Sequence, residues 1–389
     1  MSDSLMATYQ RLPVSFSKGE GAWLWDTEGR RYLDALAGIA VCGLGHAHPA
    51  VRQAICEQAG TLIHTSNLYG IPHQARLAET LCRLSGMDRV FFSNSGAEAN
   101  EAAIKIARLY GHKRGVENPT TIVMESSFHG RTLATLSATA NRKVQAGFEP
   151  LVKGFMRVPY ADIQAITEIS KYRSDVVAVL VEPVQGEGGV NVPPSDYLNR
   201  IREICDQQGW LLMLDEIQSG MGRTGRMFAH QYNGILPDVM TLAKGLGNGV
   251  PIGACLARGE AAEIFGPGKH GSTFGGNPLV CRVGQTVLET LENDRLIERA
   301  GYLGQHMLEG LRQALQGKPG VREVRGLGLM LAIELDRPCG ELVSRALAQG
   351  LLINVTADTV VRLLPPLIIS DAEADQIVAT VGTLINDFL

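Results

Sequence analysis

Surplus positive charge is missing from this 389-residue chain: 36 Lys and Arg stand against 40 Asp and Glu, leaving a formal net charge of −4. Nothing is left over to neutralise a phosphate backbone, so a nucleic-acid partner is not expected. Long hydrophobic runs are also missing. Stretches such as Val176–Val181 are far too short to span a bilayer, so no membrane span is expected. Met1–Gln10 has no basic patch followed by an apolar core, and no secretory leader is expected. Cysteine is sparse, with seven residues and no Cys-x-x-Cys pair. That pattern reads as reduced thiols in a cytoplasmic protein, without a disulfide framework or a zinc site. Internal repeats and low-complexity tracts are absent too.

What is present is a globular composition, 45% hydrophobic and 20% charged, long enough for two domains or one α/β domain with an appended lobe. Glycine is abundant at 44 residues, which supplies tight turns and close backbone approaches. Trp23–Leu33 reads as a hairpin around Asp26-Thr27-Glu28-Gly29. From about residue 50, short apolar runs alternate with helical periods. Strands are expected at Val90–Phe92, Thr121–Met124, Val176–Val181, Leu211–Leu214, Val239–Leu242 and Ile252–Leu256. Several are apolar on both faces, as in a mostly parallel sheet buried under helices. After Pro278 come two long helical stretches, strands within Val324–Leu335, a helix near Leu342–Ala348, strands at Leu352–Val355 and Val360–Leu364, and a last helix at Ala372–Phe388. The expected division is an N-terminal segment (1–48) that joins a small α+β domain (279–389), around a large domain (49–278).

Three features carry chemistry. Lys244 follows the apolar strand Val239–Ala243 and precedes the glycine-rich Gly245–Gly249. An amine at the tip of a buried strand loses solvation and becomes available as a neutral nucleophile. An isolated Lys-Gly pair would read as a surface loop, but Asp215 ends a second apolar strand and points to the carboxyl edge of the sheet, where α/β ligands bind. Third, Ser93-Asn94-Ser95-Gly96-Ala97 joins a strand to a helix whose first N–H groups suit a phosphate. Glu98 and Glu101 must then point away from it. A lysine, a carboxylate and an anion loop together suit pyridoxal 5′-phosphate. Gly220–Gly225 and Gly266–Gly271 match G-x-G-x-x-G by chance: neither opens a helix directly after a strand, and a nicotinamide oxidoreductase is disfavoured. His46-Ala47-His48 reads as a loop before a helix at Pro49, and no metal is expected.

From Leu12 onward the chain resembles the class III (subgroup II) pyridoxal-phosphate aminotransferases. The resemblance rests on Leu214-Asp215-Glu216-Ile217-Gln218 followed by Lys244-Gly245, on Phe128–Thr132, Glu182–Gly189, Ser272–Pro278 and Arg362–Pro366. It implies fold type I, a homodimer with shared active sites, and these roles. Lys244 forms the Schiff base and Asp215 faces the pyridinium nitrogen. Gln218 contacts the phenolic oxygen, and Ile217 and Phe128 flank the ring. Ser95, Gly96 and Ala97 hold the phosphate with Thr273 of the neighbouring subunit. Ala97 stands where some relatives carry Thr, which leaves only its N–H for that task. Arg131, Ser272 and Arg362 bind substrate, with Glu187 pairing with Arg362 in one half-reaction and releasing it in the other. The implied reaction moves the δ-amino group of N2-acetylornithine to 2-oxoglutarate in arginine biosynthesis. Succinylornithine, ornithine and 4-aminobutyrate are alternative donors, and an aminomutase is a remote alternative.

Overall fold

The computed structural model describes residues 4–389. Strands β1 (Phe16–Glu20), β2 (Trp23–Asp26) and β3 (Arg31–Asp34) form an antiparallel meander. Asp26 fixes the β2–β3 turn: one carboxylate oxygen accepts the N–H groups of Glu28 and Arg30, each at 2.9 Å. A carboxylate that closes a turn this way replaces backbone partners the turn cannot supply.

The central sheet has seven strands: β4 (Arg89–Ser93), β5 (Thr120–Met124), β6 (Phe155–Val158), β7 (Val176–Val181), β8 (Leu211–Asp215), β9 (Val239–Leu242) and β10 (Gly253–Ala257). Their spatial order is β4-β10-β9-β8-β7-β5-β6. Every residue of β5, β7 and β8 is buried, because helices cover both faces. β10 is the exception to the parallel arrangement and runs antiparallel between β4 and β9. The sequence alone did not separate it from its neighbours. The segment between β9 and β10 holds no crossover helix, only a 3₁₀ turn at Lys244–Leu246, so the chain returns beside the strand it left. Strand β6 was not expected; it is short and only partly buried, so its apolar signal is weak.

The remaining strands are β11 (Val321–Leu327), β12 (Met330–Leu335), β13 (Leu351–Leu352), β14 (Asn354–Thr356) and β15 (Val360–Leu363). The expected strand Leu352–Val355 is two strands. β13 pairs in parallel with β3, and β14 is the edge of an antiparallel sheet ordered β11-β12-β15-β14. Helices Pro278–Asn293, Leu296–Ala314 and Asp371–Phe388 contribute to one hydrophobic core with residues of β3, β9, β10, β12 and β15.

Gly220–Gly225 lies at the seam between these parts. Arg223 is buried there and donates through Nη1 to the carbonyl oxygens of Leu329, at 3.0 Å, and Pro365. The glycine pattern thus serves packing, and no helix opens after it. His46 of the His-Ala-His stretch pairs with Asp34 at 2.8 Å. Among the described residues, no helix is long and apolar enough to cross a membrane.

Candidate active site

Strands β4, β5, β7, β8 and β9 end on one side of the central sheet, and the loops after them line a cavity of about 410 Å³. This is the crevice at the carboxyl ends of an α/β sheet, where the topology leaves room for a ligand. Ser95, Gly96 and Ala97 come from the loop after β4, Phe128 and Arg131 from β5, Glu187 from β7, Asp215, Ile217 and Gln218 from β8, and Lys244 from β9. Every residue expected at the site lines this cavity except Arg362, Ser272 and Thr273.

Lys244 sits two residues past the end of β9 with φ of +38°, a left-handed conformation that costs a side-chain-bearing residue of order 1–3 kcal/mol. The sharp turn carries the side chain into the cavity. Burial dominates its electrostatics and pulls the amine down to about 8; the charge of Arg362 adds to that, while Glu187 and Asp215 oppose it. A neutral amine is therefore accessible near neutral pH.

Asp215 ends β8 and is held from behind. Its Oδ2 accepts from Asn100 Nδ2 at 2.7 Å and from His129 Nδ1 at 2.8 Å. Asn100 is itself fixed by Thr241 of β9, whose hydroxyl donates at 2.8 Å. Oδ1 accepts the N–H of Ile217 at 3.1 Å, which closes the turn that brings Ile217 and Gln218 to the cavity. A buried carboxylate so fully supplied with donors keeps its position. Asn100 and His129 were not expected at the site. His129 lay within the Phe128–Thr132 stretch, but Asn100 gives no sequence signal, because only the fold brings a helix residue under the tip of β8.

The helix Gly96–Lys113 starts at the cavity. Ser95 caps it, accepting the N–H of Glu98 at 3.2 Å. Glu98 folds back and accepts from the N–H and side chain of Asn94, and Glu101 accepts from Thr132. Both carboxylates are engaged away from the cavity, as the expected anion site requires. The N–H groups of Gly96 and Ala97 belong to the first helical turn and have no intrahelical acceptor. Gly96 is needed for close approach: a Cβ there would lie 2.8 Å from Ile217 Cδ1. The residues present thus fit a planar, phosphorylated aldehyde, with an amine, a carboxylate and an anion-binding helix start around one space.

Glu182, also unexpected, is buried at the end of β7 and lines the cavity. It accepts the N–H groups of Phe128 and Gly186, each at 3.0 Å, and burial pushes its carboxyl above the usual range. One side chain thereby ties the Phe128 loop to the Glu187 loop.

Arg362 stands behind the cavity wall. It is fully buried on β15, and Nη1 donates to Glu187 Oε1 at 2.7 Å and to Gln218 Oε1 at 3.3 Å. Glu187 and Gln218 line the cavity and screen the guanidinium from it. Burial opposes the charge on Glu187, yet Arg362, aided by Lys244 and Gln218, outweighs it and holds the carboxyl below the usual value. Gly186 allows this arrangement, because a Cβ there would collide with the Gln218 amide. Arg131 is different. It is exposed, its guanidinium lies 5.8 Å from the Phe128 ring centre, and no carboxylate among the described residues pairs with it. Ser272 accepts from Asn94 Nδ2 at 3.2 Å, and Thr273 is exposed on the following turn; neither reaches the cavity of its own chain.

The aminotransferase class-III family model matches residues 5–385. A protein of Nitrosomonas europaea named acetylornithine aminotransferase is 60% identical over 385 residues, which is 99% of this chain and 98% of that protein. Acetylornithine aminotransferase 1 of Bordetella bronchiseptica is 58% identical over 389 residues, 100% of this chain and 99% of its own. The crystal structure of ornithine aminotransferase from Toxoplasma gondii superposes with a TM-score of 0.96 at 37% identity, covering 99% of this chain and 93% of that one. The chain belongs to the class III aminotransferase family.

Proposed function

We propose that this class III aminotransferase moves the δ-amino group of N2-acetyl-L-ornithine to 2-oxoglutarate, giving N-acetyl-L-glutamate 5-semialdehyde and L-glutamate, as a step of arginine biosynthesis. The observation that carries the reaction is the joint placement of Lys244 and Asp215 at the ends of adjacent strands, facing one cavity. The relatives at 58–60% identity named for acetylornithine support the donor.

Pyridoxal 5′-phosphate, when bound, supplies an aldehyde that takes up amines and a ring that holds the electron pair left by a departing proton. The Gly96 and Ala97 N–H groups and Ser95 would hold its phosphate, Phe128 and Ile217 would flank its ring, Gln218 would contact its phenolic oxygen, and Asp215 would pair with its ring nitrogen. Asp215, held in place by Asn100 and His129, would favour a proton on that nitrogen. Lys244 Nζ would take the proton from the substrate's δ-carbon and act in turn as the acid that gives it back, a role suited to an amine that burial lowers to about 8. Arg131 binds the donor's α-carboxylate while Glu187 screens Arg362. With 2-oxoglutarate, Glu187 withdraws, Arg362 takes the α-carboxylate, and Arg131 takes the distal one. Two carboxylate seats, one always open at Arg131 and one at Arg362 that opens only for the keto acid, let a single cavity serve an ω-amine and an α-keto acid.

A homodimer belongs to this reading. Ser272 and Thr273 contribute to the neighbouring cavity, and the exposed apolar Leu68, Tyr69 and Phe274 near them are surface for a second copy to cover. The protein acts in the cytoplasm with its seven cysteines as free thiols. Steady-state rates with N2-acetylornithine, succinylornithine, ornithine and 4-aminobutyrate, each with and without 2-oxoglutarate, test the substrate. N2-acetylornithine is expected to give the highest kcat/KM and no turnover without the keto acid. Ornithine in first place would overturn the donor, and turnover without the keto acid would indicate a mutase.

A further inference from the structure

The following rests on Arg362 as the seat of the keto acid's α-carboxylate. We propose that Asn354 is a positioning residue for that seat: it holds the guanidinium by Nε so that the Nη1–Nη2 edge meets the incoming carboxylate.

Strand β14 is three residues long and pairs with β15 in the register Asn354↔Arg362 and Thr356↔Val360. Side chains of directly paired residues share a face of the sheet. Asn354 Oδ1 accepts from Arg362 Nε at 3.1 Å. Glu187 and Gln218 both engage Nη1, and Nη2 is buried with no hydrogen-bond partner among the described residues. The guanidinium is therefore held at Nε, screened at Nη1 and unused at Nη2.

An arginine offers a carboxylate two kinds of two-point fork: the end edge, Nη1 with Nη2, or a side edge that includes Nε. Asn354 occupies Nε and closes the side edge. When Glu187 withdraws, the end edge remains, with one donor just freed and one never satisfied. Without Asn354 the buried Nε would lose its acceptor, and the planar group would be free to turn away. The same short strand also steadies the screen, because the Thr356 hydroxyl donates to the backbone carbonyl of Glu187. The Glu187 backbone is thus tied to the strand beside Arg362 while its carboxylate swings.

The test uses the holoenzyme and two readouts: the separate KM values for 2-oxoglutarate and for the amino donor, and the calorimetric Kd of glutarate, a dicarboxylate without the keto group. Asn354→Ala is expected to raise the 2-oxoglutarate KM and the glutarate Kd about tenfold, the loss of one charge-assisted hydrogen bond, with the donor KM changed less than about twofold. Asn354→Asp keeps an acceptor at the same atom and is expected to stay within about threefold of the parent. Should the alanine variant lose its fold, Asn354→Ser, whose hydroxyl stops short of Nε, repeats the test. Unchanged glutarate binding, or equal shifts in both KM values, overturns the proposal. Arg362→Lys separates the two levels. If it weakens 2-oxoglutarate while Asn354→Ala is silent, only the role of Asn354 falls; if both are silent, the carboxylate seat falls with it.

Discussion

The two ends of the cavity are built on opposite principles. At the Lys244 end, Asp215 accepts three hydrogen bonds and Asn100 is locked in turn by Thr241. These bonds hold the carboxylate from several sides, which suits a group that must face the same atom through every turnover. At the Arg362 end, one guanidinium nitrogen is anchored, one is screened by a partly exposed carboxylate, and one is unpaired. A buried charge with an incomplete partner set is costly in the resting state, and that cost favours an exchange of Glu187 for a substrate carboxylate. Rigid chemistry at one end and exchangeable recognition at the other explain how one cavity accepts two unlike substrates.

Substitutions at the rigid end are expected to damage both half-reactions alike. Lys244→Ala should lower turnover about 10³-fold or more, since it removes the group that carries the proton. Single-turnover rates measured with each substrate should fall together. Asp215→Asn keeps the shape but not the charge and should cost about 10²-fold in both half-reactions. At the exchangeable end the effect should split. Arg362→Lys replaces a planar fork with a point charge and should raise the 2-oxoglutarate KM about 10- to 100-fold, with the donor half-reaction changed only a few-fold. An equal loss in both half-reactions would erase the contrast.

The pH dependence offers a gentler probe. Burial holds the amine of Lys244 at about 8, below its ordinary value, so its neutral form grows as pH rises through that point. Capture of pyridoxal 5′-phosphate by the cofactor-free protein, followed by absorbance, should speed up about tenfold from pH 7 to pH 9 and then level off. A rise that continues unabated past pH 9 would mean that burial does not lower the amine from its ordinary value.

How much of this was legible in the sequence follows from the kind of signal each part leaves. Lys244 and Asp215 were readable because each ends an apolar strand, and a charge there has few other uses. The anion loop was readable because a capping serine and a glycine stand together at a strand-to-helix junction. Asn100, Thr241 and Glu182 were not. Their roles depend on which strands become neighbours, and single-strand periodicity does not encode spatial order. The strand β10 was expected, but its antiparallel direction was not readable for the same reason. Asn354 was hidden further, since β13 and β14 read as one apolar stretch although they belong to different sheets.

The claim on which the account depends most is that the amine of Lys244 is the group that condenses with the cofactor's aldehyde. Borohydride reduction of the holoenzyme followed by peptide mass mapping tests it directly. The predicted result is a single pyridoxyl-phosphate adduct on the peptide containing Lys244. An adduct on another lysine, with Lys244 unlabelled, would contradict it.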